Sequence, residues 1–97
     1  MGMFLVTLSR SGPEWDPAAA VEQQSGWAEH AAFMDELVDA GVIVLGGPLD
    51  DLRVAHAIEA PDERAVRAAL ARDPWSGSHL LVERIEPWTI RLDGTRR

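Results

Sequence analysis

A histidine and an aspartate are the two side chains of this sequence whose surroundings favour acid–base chemistry. His30 falls within a series of largely apolar residues that recur at spacings of three and four, which predicts the buried stripe of a helix. The members of that stripe are Trp27, His30, Ala31, Met34, Leu37 and Val38. A buried polar group without a partner costs on the order of 1–3 kcal/mol, so we expect the imidazole to be hydrogen-bonded.

Asp73 is the predicted partner of His30. It comes at the end of a second predicted helix, and Pro74 disfavours the helical conformation at the residue before it. A carboxylate bound to one imidazole nitrogen fixes the tautomer and leaves the other nitrogen to act as a base or an acid. Residue spacing leaves two interpretations open, a structural hydrogen bond and a working catalytic pair.

The residue types that are absent narrow the chemistry further. The chain has no cysteine, tyrosine or lysine, and all nine of its basic residues are arginine. This composition excludes disulfides, thiol chemistry and Schiff bases. Because His30, His56 and His79 are not spaced as metal ligands and Gly46-Gly47 lacks the motif of a phosphate-binding loop, we predict neither a metal nor an organic cofactor.

Five further residues are candidates for binding a ligand near the pair: Arg10, Trp15, Gly47, Pro48 and Trp75. Arg10, at the end of the first predicted strand, has the charge to hold a substrate anion, although a plain surface position is the simpler interpretation. Trp15 either covers a pocket or closes the end of the core. At Gly47 and Pro48 the backbone can bend sharply or approach a ligand. His79, just beyond the turn that carries the aspartate, is a further candidate to reach the pocket.

A single domain over residues 1–97 is expected, because a chain of 97 residues leaves no room for two hydrophobic cores. The net charge of −7 argues against nucleic acid and against anionic membrane surfaces as partners. No apolar run approaches the ~20 residues that span a bilayer. The N-terminus lacks the features of a signal peptide and cysteine is absent, so a cytoplasmic location is expected.

Hydrophobic patterning predicts elements in the order β-α-β-β-α-β. Strands are predicted over residues 3–9, 42–45, 53–60 and 79–85, helices over 17–40 and 61–72, and a short edge segment over 88–92. The first helix would be capped by Asp16, with a break at Ser25-Gly26. This order is that of a ferredoxin-like plait, an α+β fold. In that plait both helices cover one face of the sheet, yet the first two strands are apolar on both sides, which predicts a homodimer packed sheet against sheet.

The sequence resembles the YCII-related (YciI-like) family, whose members are dimeric α+β barrel domains. Four features carry the resemblance, and together they span nearly the whole chain. They are Met3-Phe4-Leu5-Val6, then His30 with Leu37 and Ala40-Gly41 behind it, then Leu45-Gly46-Gly47-Pro48-Leu49, and then Asp73-Pro74-Trp75. The resemblance implies that His30 and Asp73 form an active-site pair in a pocket at the sheet face. The longer segment before His30, which holds Trp15, departs from the family pattern and implies a different pocket entrance.

The chemistry within reach of such a pair is proton transfer on a small organic molecule. Positioned acid–base catalysis contributes about 10²–10⁴-fold, and the chain shows no nucleophile motif that would support amide or phosphate hydrolysis. The reactions that remain possible are of the isomerase or lyase type: isomerisation, dehydration and elimination at an already acidic C–H. The alternative is a non-catalytic domain of a different class, which binds a small ligand in the same pocket or interacts through its dimer surface.

Overall fold

The computed structural model of this protein describes residues 1–96, with side chains described for residues 1–95. Four strands and two α-helices follow one another in the order β1-α1-β2-β3-α2-β4 within that part of the chain. Their bounds are β1 Gly2–Ser9, α1 Trp27–Asp39, β2 Ile43–Pro48, β3 Arg53–Ala60, α2 Glu63–Ala71 and β4 Leu81–Pro87. Short 3-10 helices occupy Val21–Gln23 and Gly94–Arg96.

The four strands form one antiparallel sheet in the order β2-β3-β1-β4. The short connection between β2 and β3 makes the predicted hairpin, closed by Leu49 N donating to Arg53 O at 2.8 Å. The fold is therefore α+β, and its order of elements and strands is consistent with the predicted ferredoxin-like plait.

The core lies on the sheet face toward which α1 and α2 pack. β1 presents Phe4, Val6 and Leu8 to this inner face, where all three are buried, whereas its alternate residues are half-buried or exposed. The two helices add four buried side chains to the same cluster: Phe33, Leu37, Val66 and Leu70. This alternation of period two on β1 and spacing of three to four on the helices is what one covered sheet face requires.

The prediction that the first helix begins near residue 17 is wrong. The Oδ1 atom of Asp16 accepts a hydrogen bond from Ala18 N at 2.9 Å, which makes a local turn, not a helix cap. The buried side chain of Gln24 then binds Asp16 N at 2.9 Å, Asp16 O at 2.7 Å and Ala19 O at 3.1 Å. These bonds satisfy the backbone of an irregular loop, so α1 begins at Trp27.

The residues that form the buried stripe of α1 differ in part from the predicted ones. His30, Phe33 and Leu37 are buried, whereas Val38 is 53% exposed. Phe33 was not among the predicted members, and Val38 was. Because α1 packs on one side only, the stripe is narrow and follows positions i, i+3 and i+7.

The ends of two strands and one helix also differ from prediction. β2 continues to Pro48, because Gly46 and Gly47 still pair with β3. β4 begins at Leu81, because residue 79 belongs to the preceding turn, where its N–H donates to Trp75 O at 3.1 Å. Helix α2 is capped by Asp62, whose Oδ1 accepts from Ala65 N at 2.8 Å, so the helix begins at residue 63.

The outer face of the sheet, opposite the helices, keeps exposed apolar side chains. Residues 88–92 form no strand, although Trp88 N donates to Met3 O at 2.9 Å and ties this segment to β1. Leu45 is 62% exposed and Trp88 44% exposed. None of the helices described is both long and apolar enough to cross a membrane.

Candidate functional site

His30 and Asp73 are hydrogen-bonded in the interior, as predicted. His30 Nδ1 lies 2.9 Å from Asp73 Oδ1 and 3.0 Å from Oδ2, and the two residues are 8% and 7% exposed. An ionised carboxylate only accepts hydrogen bonds, so Nδ1 carries the proton and donates it to Asp73. In the neutral ring, Nε2 is therefore the nitrogen with the lone pair, and it makes no hydrogen bond to the described residues.

The turn after α2 positions the carboxylate. Asp73 N donates to Leu70 O at 3.1 Å, which ends the helix, and Ser76 N donates to Asp73 O at 2.9 Å, which closes the turn. Within it, Trp75 N donates to Asp73 Oδ1 at 2.9 Å. Because the same oxygen accepts from both His30 and Trp75, the side chain of Asp73 is held in one orientation.

Trp75 fixes the plane of the histidine ring. Its indole stacks on the imidazole of His30 with ring centroids 4.0 Å apart and planes 6° apart. The indole Nε1–H donates to Ser25 O at 2.8 Å, which anchors the ring to the segment just before α1. Trp75 is only 2% exposed, so the stack is part of the core as well as of the site.

His79 lies on the other side of the same indole and does not line the cavity beside His30. Its ring is 4.7 Å from that of Trp75 and 15° from parallel. Its Nε2 is 2.9 Å from Ser25 Oγ and its Nδ1 is 2.8 Å from Ser78 Oγ. Both ring nitrogens are thus hydrogen-bonded inside the protein, so this further candidate does not reach the pocket.

A cavity of about 240 Å³ opens between α1, the turn after α2 and the inner face of the sheet. Its polar residues are Arg10, His30 and His56. Its apolar walls are formed by Val21, Trp27, Met34, Pro48, Val54, Trp75 and Leu80. This combination of apolar walls with a few converging polar groups is typical of a small-molecule site.

The five candidate ligand-binding residues divide between this cavity and other surfaces. Arg10, Pro48 and Trp75 line it together with His30. Trp15 does not; it packs edge-on against Trp75 at 5.8 Å, and the Arg10 guanidinium lies 5.1 Å from its ring. Gly47 pairs with β3 and does not line the cavity; it borders a second groove that shares Pro48 and His56 with the cavity.

His56 is the residue of the site that sequence reasoning missed. It is 8% exposed, and its Nδ1 is buried without a hydrogen-bond partner among the described residues. Burial lowers the pKa of His56 below its ordinary value of 6.5; the nearby His30 lowers this pKa further, and the Asp73 carboxylate opposes the shift. The hairpin register, which pairs residue 56 with Gly46, was the available signal, since a glycine opposite a histidine leaves room for the ring.

No group of three or more histidine, aspartate or glutamate side chains within residues 1–95 is arranged to hold a metal ion. The charged and titratable side chains at or behind the cavity are Arg10, His30, His56 and Asp73.

No protein-family model, curated protein or solved structure matches this chain. The resemblance to the YCII-related family stays a prediction, and the function is argued from the geometry of the site.

The pairing of Gly46 with His56 leads to a test of how tightly the site is built. A Cβ atom at position 46 would lie 2.0 Å from His56 Nδ1, whereas one at position 47 would have no atom within 4 Å. We expect Gly46→Ala to lower the free energy of unfolding by about 1–3 kcal/mol through overpacking. The matched control Gly47→Ala should change it by less than about 0.5 kcal/mol. Urea denaturation measures both, and equal effects would contradict the close packing.

The lowered pKa of His56 predicts a pH dependence of stability. At a pH above the ordinary pKa of 6.5, the His56 ring is neutral in both the folded and the unfolded chain. The free energy of unfolding is then not reduced by protonation of this ring. As the pH falls from there toward the lowered pKa, the unfolded chain takes up a proton that the folded chain resists, so the free energy of unfolding falls.

His56→Gln removes this contribution while retaining a polar side chain. Between pH 7.5 and pH 5.5, wild type should therefore lose more unfolding free energy than His56→Gln, as measured by urea denaturation. An identical loss in the two proteins would show that the folded state does not disfavour the charged ring.

Proposed function

We propose that this chain catalyses proton transfer on a small organic molecule, with His30 as the catalytic base and acid and Asp73 as the residue that positions it. The observation that carries the proposal is the hydrogen bond from His30 Nδ1 to Asp73, made beside a cavity of about 240 Å³ that His30 lines. It leaves the Nε2 lone pair without a partner among the described residues. A base needs such a lone pair within reach of a bound substrate.

The steps follow from this arrangement. The Nε2 lone pair of His30 takes a proton from an activated C–H bond, and the Asp73 carboxylate stabilises the imidazolium that forms. The same Nε2–H then returns the proton at another atom, which gives isomerisation, or protonates a leaving group, which gives elimination. Both belong to the isomerase- or lyase-type reactions that need neither a nucleophile nor a metal.

The surroundings support a small ligand with an anionic part. Trp27, Met34 and Trp75 are among the apolar walls, and a ligand against such walls interacts more strongly with nearby charges than it would in water. Arg10 contributes a positive charge, and its side-chain hydrogen bond goes to a neutral backbone oxygen, Asp51 O, at 3.3 Å. A carboxylate or phenolate on the substrate is therefore the group that we expect at Arg10.

The proposal extends to family and assembly, namely a YciI-like domain that forms a dimeric α+β barrel. The apolar outer face of the sheet supports a homodimer, since Leu45 is 62% exposed and Val44 39% exposed on β2. Neighbouring apolar side chains of this kind often mark an interface between protein chains. A second sheet packed on this face would remove them from water.

Substitution of the pair tests the catalytic role. In a turnover screen against a pool of small metabolites, we expect His30→Ala to abolish turnover and Asp73→Asn to lower it by about 10²-fold or more. Glu29→Gln is the matched control, because it removes a charge from the exposed side of the same helix and should leave turnover unchanged.

Folded concentrations are matched by circular dichroism before comparison. Turnover that survives His30→Ala would contradict the proposed base. Binding without turnover, unaffected by His30→Ala, would support the alternative of a non-catalytic ligand-binding domain.

The proposed dimer is tested by sedimentation equilibrium at micromolar concentration. Wild type should give twice the chain mass of 10.6 kDa. Leu45→Glu puts a charge on the outer face and should shift the mass toward that of the monomer. Val38→Glu, on the exposed side of α1, should leave the dimer intact. A folded wild-type monomer would contradict this assembly.

A further inference from the structure

His56 presents a buried polar atom that none of the described residues satisfies. Its Nδ1 is shielded from solvent and lacks a hydrogen-bond partner among the described residues. Native proteins contain few such groups, because each costs on the order of 1–3 kcal/mol in lost hydrogen bonding. A buried imidazole kept at this cost calls for a role that the packing does not supply.

The ring of His56 borders the same cavity as that of His30. His56 lies on β3 opposite Gly46, and its Nδ1 edge faces the bare backbone there, as shown by the 2.0 Å separation from a Cβ built on that glycine. Because Nδ1 is buried against Gly46, Nε2 is the ring nitrogen that can form a hydrogen bond with a ligand. It makes no hydrogen bond to the described residues.

Burial keeps the ring of His56 neutral. Desolvation is the largest cause of its lowered pKa; His30 lowers this pKa further, and Asp73 opposes the shift. A neutral imidazole carries one N–H. If the proton sits on Nε2, the ring can donate to a ligand in the cavity; on Nδ1 it would be a buried donor with no acceptor.

We infer that the cavity binds a small carbonyl compound with an acidic C–H beside the carbonyl, and that His56 Nε2–H donates a hydrogen bond to the carbonyl oxygen. The inference rests on the proposed function, since it assigns the second polar contact to the substrate of His30. A neutral imidazole polarises a carbonyl without giving up a full proton, which suits an enolisation at neutral pH.

The proposed step is a base-catalysed enolisation. The Nε2 lone pair of His30 forms a bond to the α proton, and the electrons of the C–H bond form a carbon–carbon double bond. The carbonyl π electrons move to oxygen, where the hydrogen bond from His56 stabilises the developing charge. Return of a proton from His30 to the enolate oxygen gives the enol, and return to the carbon regenerates the ketone with exchange of that proton; neither outcome requires an oxidant or other reactant.

Size and charge restrict the ligand further. The cavity of about 240 Å³ is smaller than the ~300–1,000 Å³ that holds drug-sized ligands. Indole rings of Trp27 and Trp75 form part of its walls, and Arg10 supplies a cation. A flat 2-keto acid fits these features, with its carboxylate at Arg10, its ketone oxygen at His56 and the C–H carbon on the far side of the ketone at His30.

Phenylpyruvate is a suitable probe, because it combines an aromatic ring, a carboxylate, a ketone and an acidic methylene group. With carbon-13 at the ketone, isotope-edited infrared spectroscopy reports the polarisation of the bound carbonyl. We expect the carbonyl band to shift to lower frequency in wild type and in His30→Ala. The shift should be lost in His56→Leu and partly kept in His56→Gln, whose amide retains an N–H donor.

Proton exchange gives the second readout on the same proteins. Loss of the methylene proton signal of phenylpyruvate in D₂O, corrected for the uncatalysed rate, measures enolisation. We expect His56→Leu to slow this exchange by about 10²-fold, the effect of removing one donor to a developing oxyanion. His56→Ala is the second variant should His56→Leu misfold, since it removes the donor without adding bulk beside Gly46.

The two readouts separate the inference from the proposed function. A carbonyl shift that depends on His56, without any catalysed exchange, would support the contact and overturn the catalytic role of His30. Exchange that His30→Ala abolishes and the His56 variants leave unchanged would overturn the inference and retain the proposed function. Absence of a carbonyl shift in wild type would also overturn the inference.

Discussion

The hydrogen bond between His30 and Asp73 is the interaction on which the rest of the site depends. It joins the first turns of α1 to the turn after α2, so it forms only when both helices pack on the same face of the sheet. The bond has two consequences, because it satisfies a buried imidazole and it also sets which nitrogen keeps the lone pair. Stability and reactivity therefore depend on the same pair of atoms.

Two further contacts give the cavity its shape: the stacking of Trp75 on His30 and the packing of His56 against Gly46. Trp75 stacks on His30 at 4.0 Å and donates its backbone N–H to Asp73, so one residue orients both members of the pair. Gly46 makes room for His56, which brings a second imidazole to the cavity. The Nδ1 atom of His56, which has no partner among the described residues, costs stability in the folded protein, and a catalytic role is one explanation for such a group.

The order of the elements and the contact of the pair were predictable from the sequence, for local physical reasons. In β3, larger side chains alternate with smaller ones, which predicts a strand, and the strand has the predicted bounds, Arg53–Ala60. The contact with Asp73 followed from two constraints, an imidazole in an apolar helix stripe and an aspartate kept from helical geometry by Pro74. The catalytic role of the pair, the dimer and the family stay predictions.

Other features depend on contacts between residues distant in sequence, and local patterns do not contain them. The segment before α1 has helix-forming alanines, yet the three hydrogen bonds of Gln24 hold it as an irregular loop. His79 was only a candidate to reach the pocket, and Ser25 and Ser78 engage both of its nitrogens. Gly47 was the predicted ligand-binding glycine, but the pairing of β2 with β3 places Gly46, not Gly47, beside His56.

The tautomer of His30 is the most direct test of this account. Long-range proton–nitrogen NMR correlations on protein labelled with nitrogen-15 in its histidines distinguish a ring protonated at Nδ1 from one protonated at Nε2. The account predicts that neutral His30 carries its proton on Nδ1 in wild type, and that Asp73→Ala removes this preference. A neutral His30 protonated at Nε2 in wild type would contradict it, because the lone pair would then face Asp73 and no base would face the cavity.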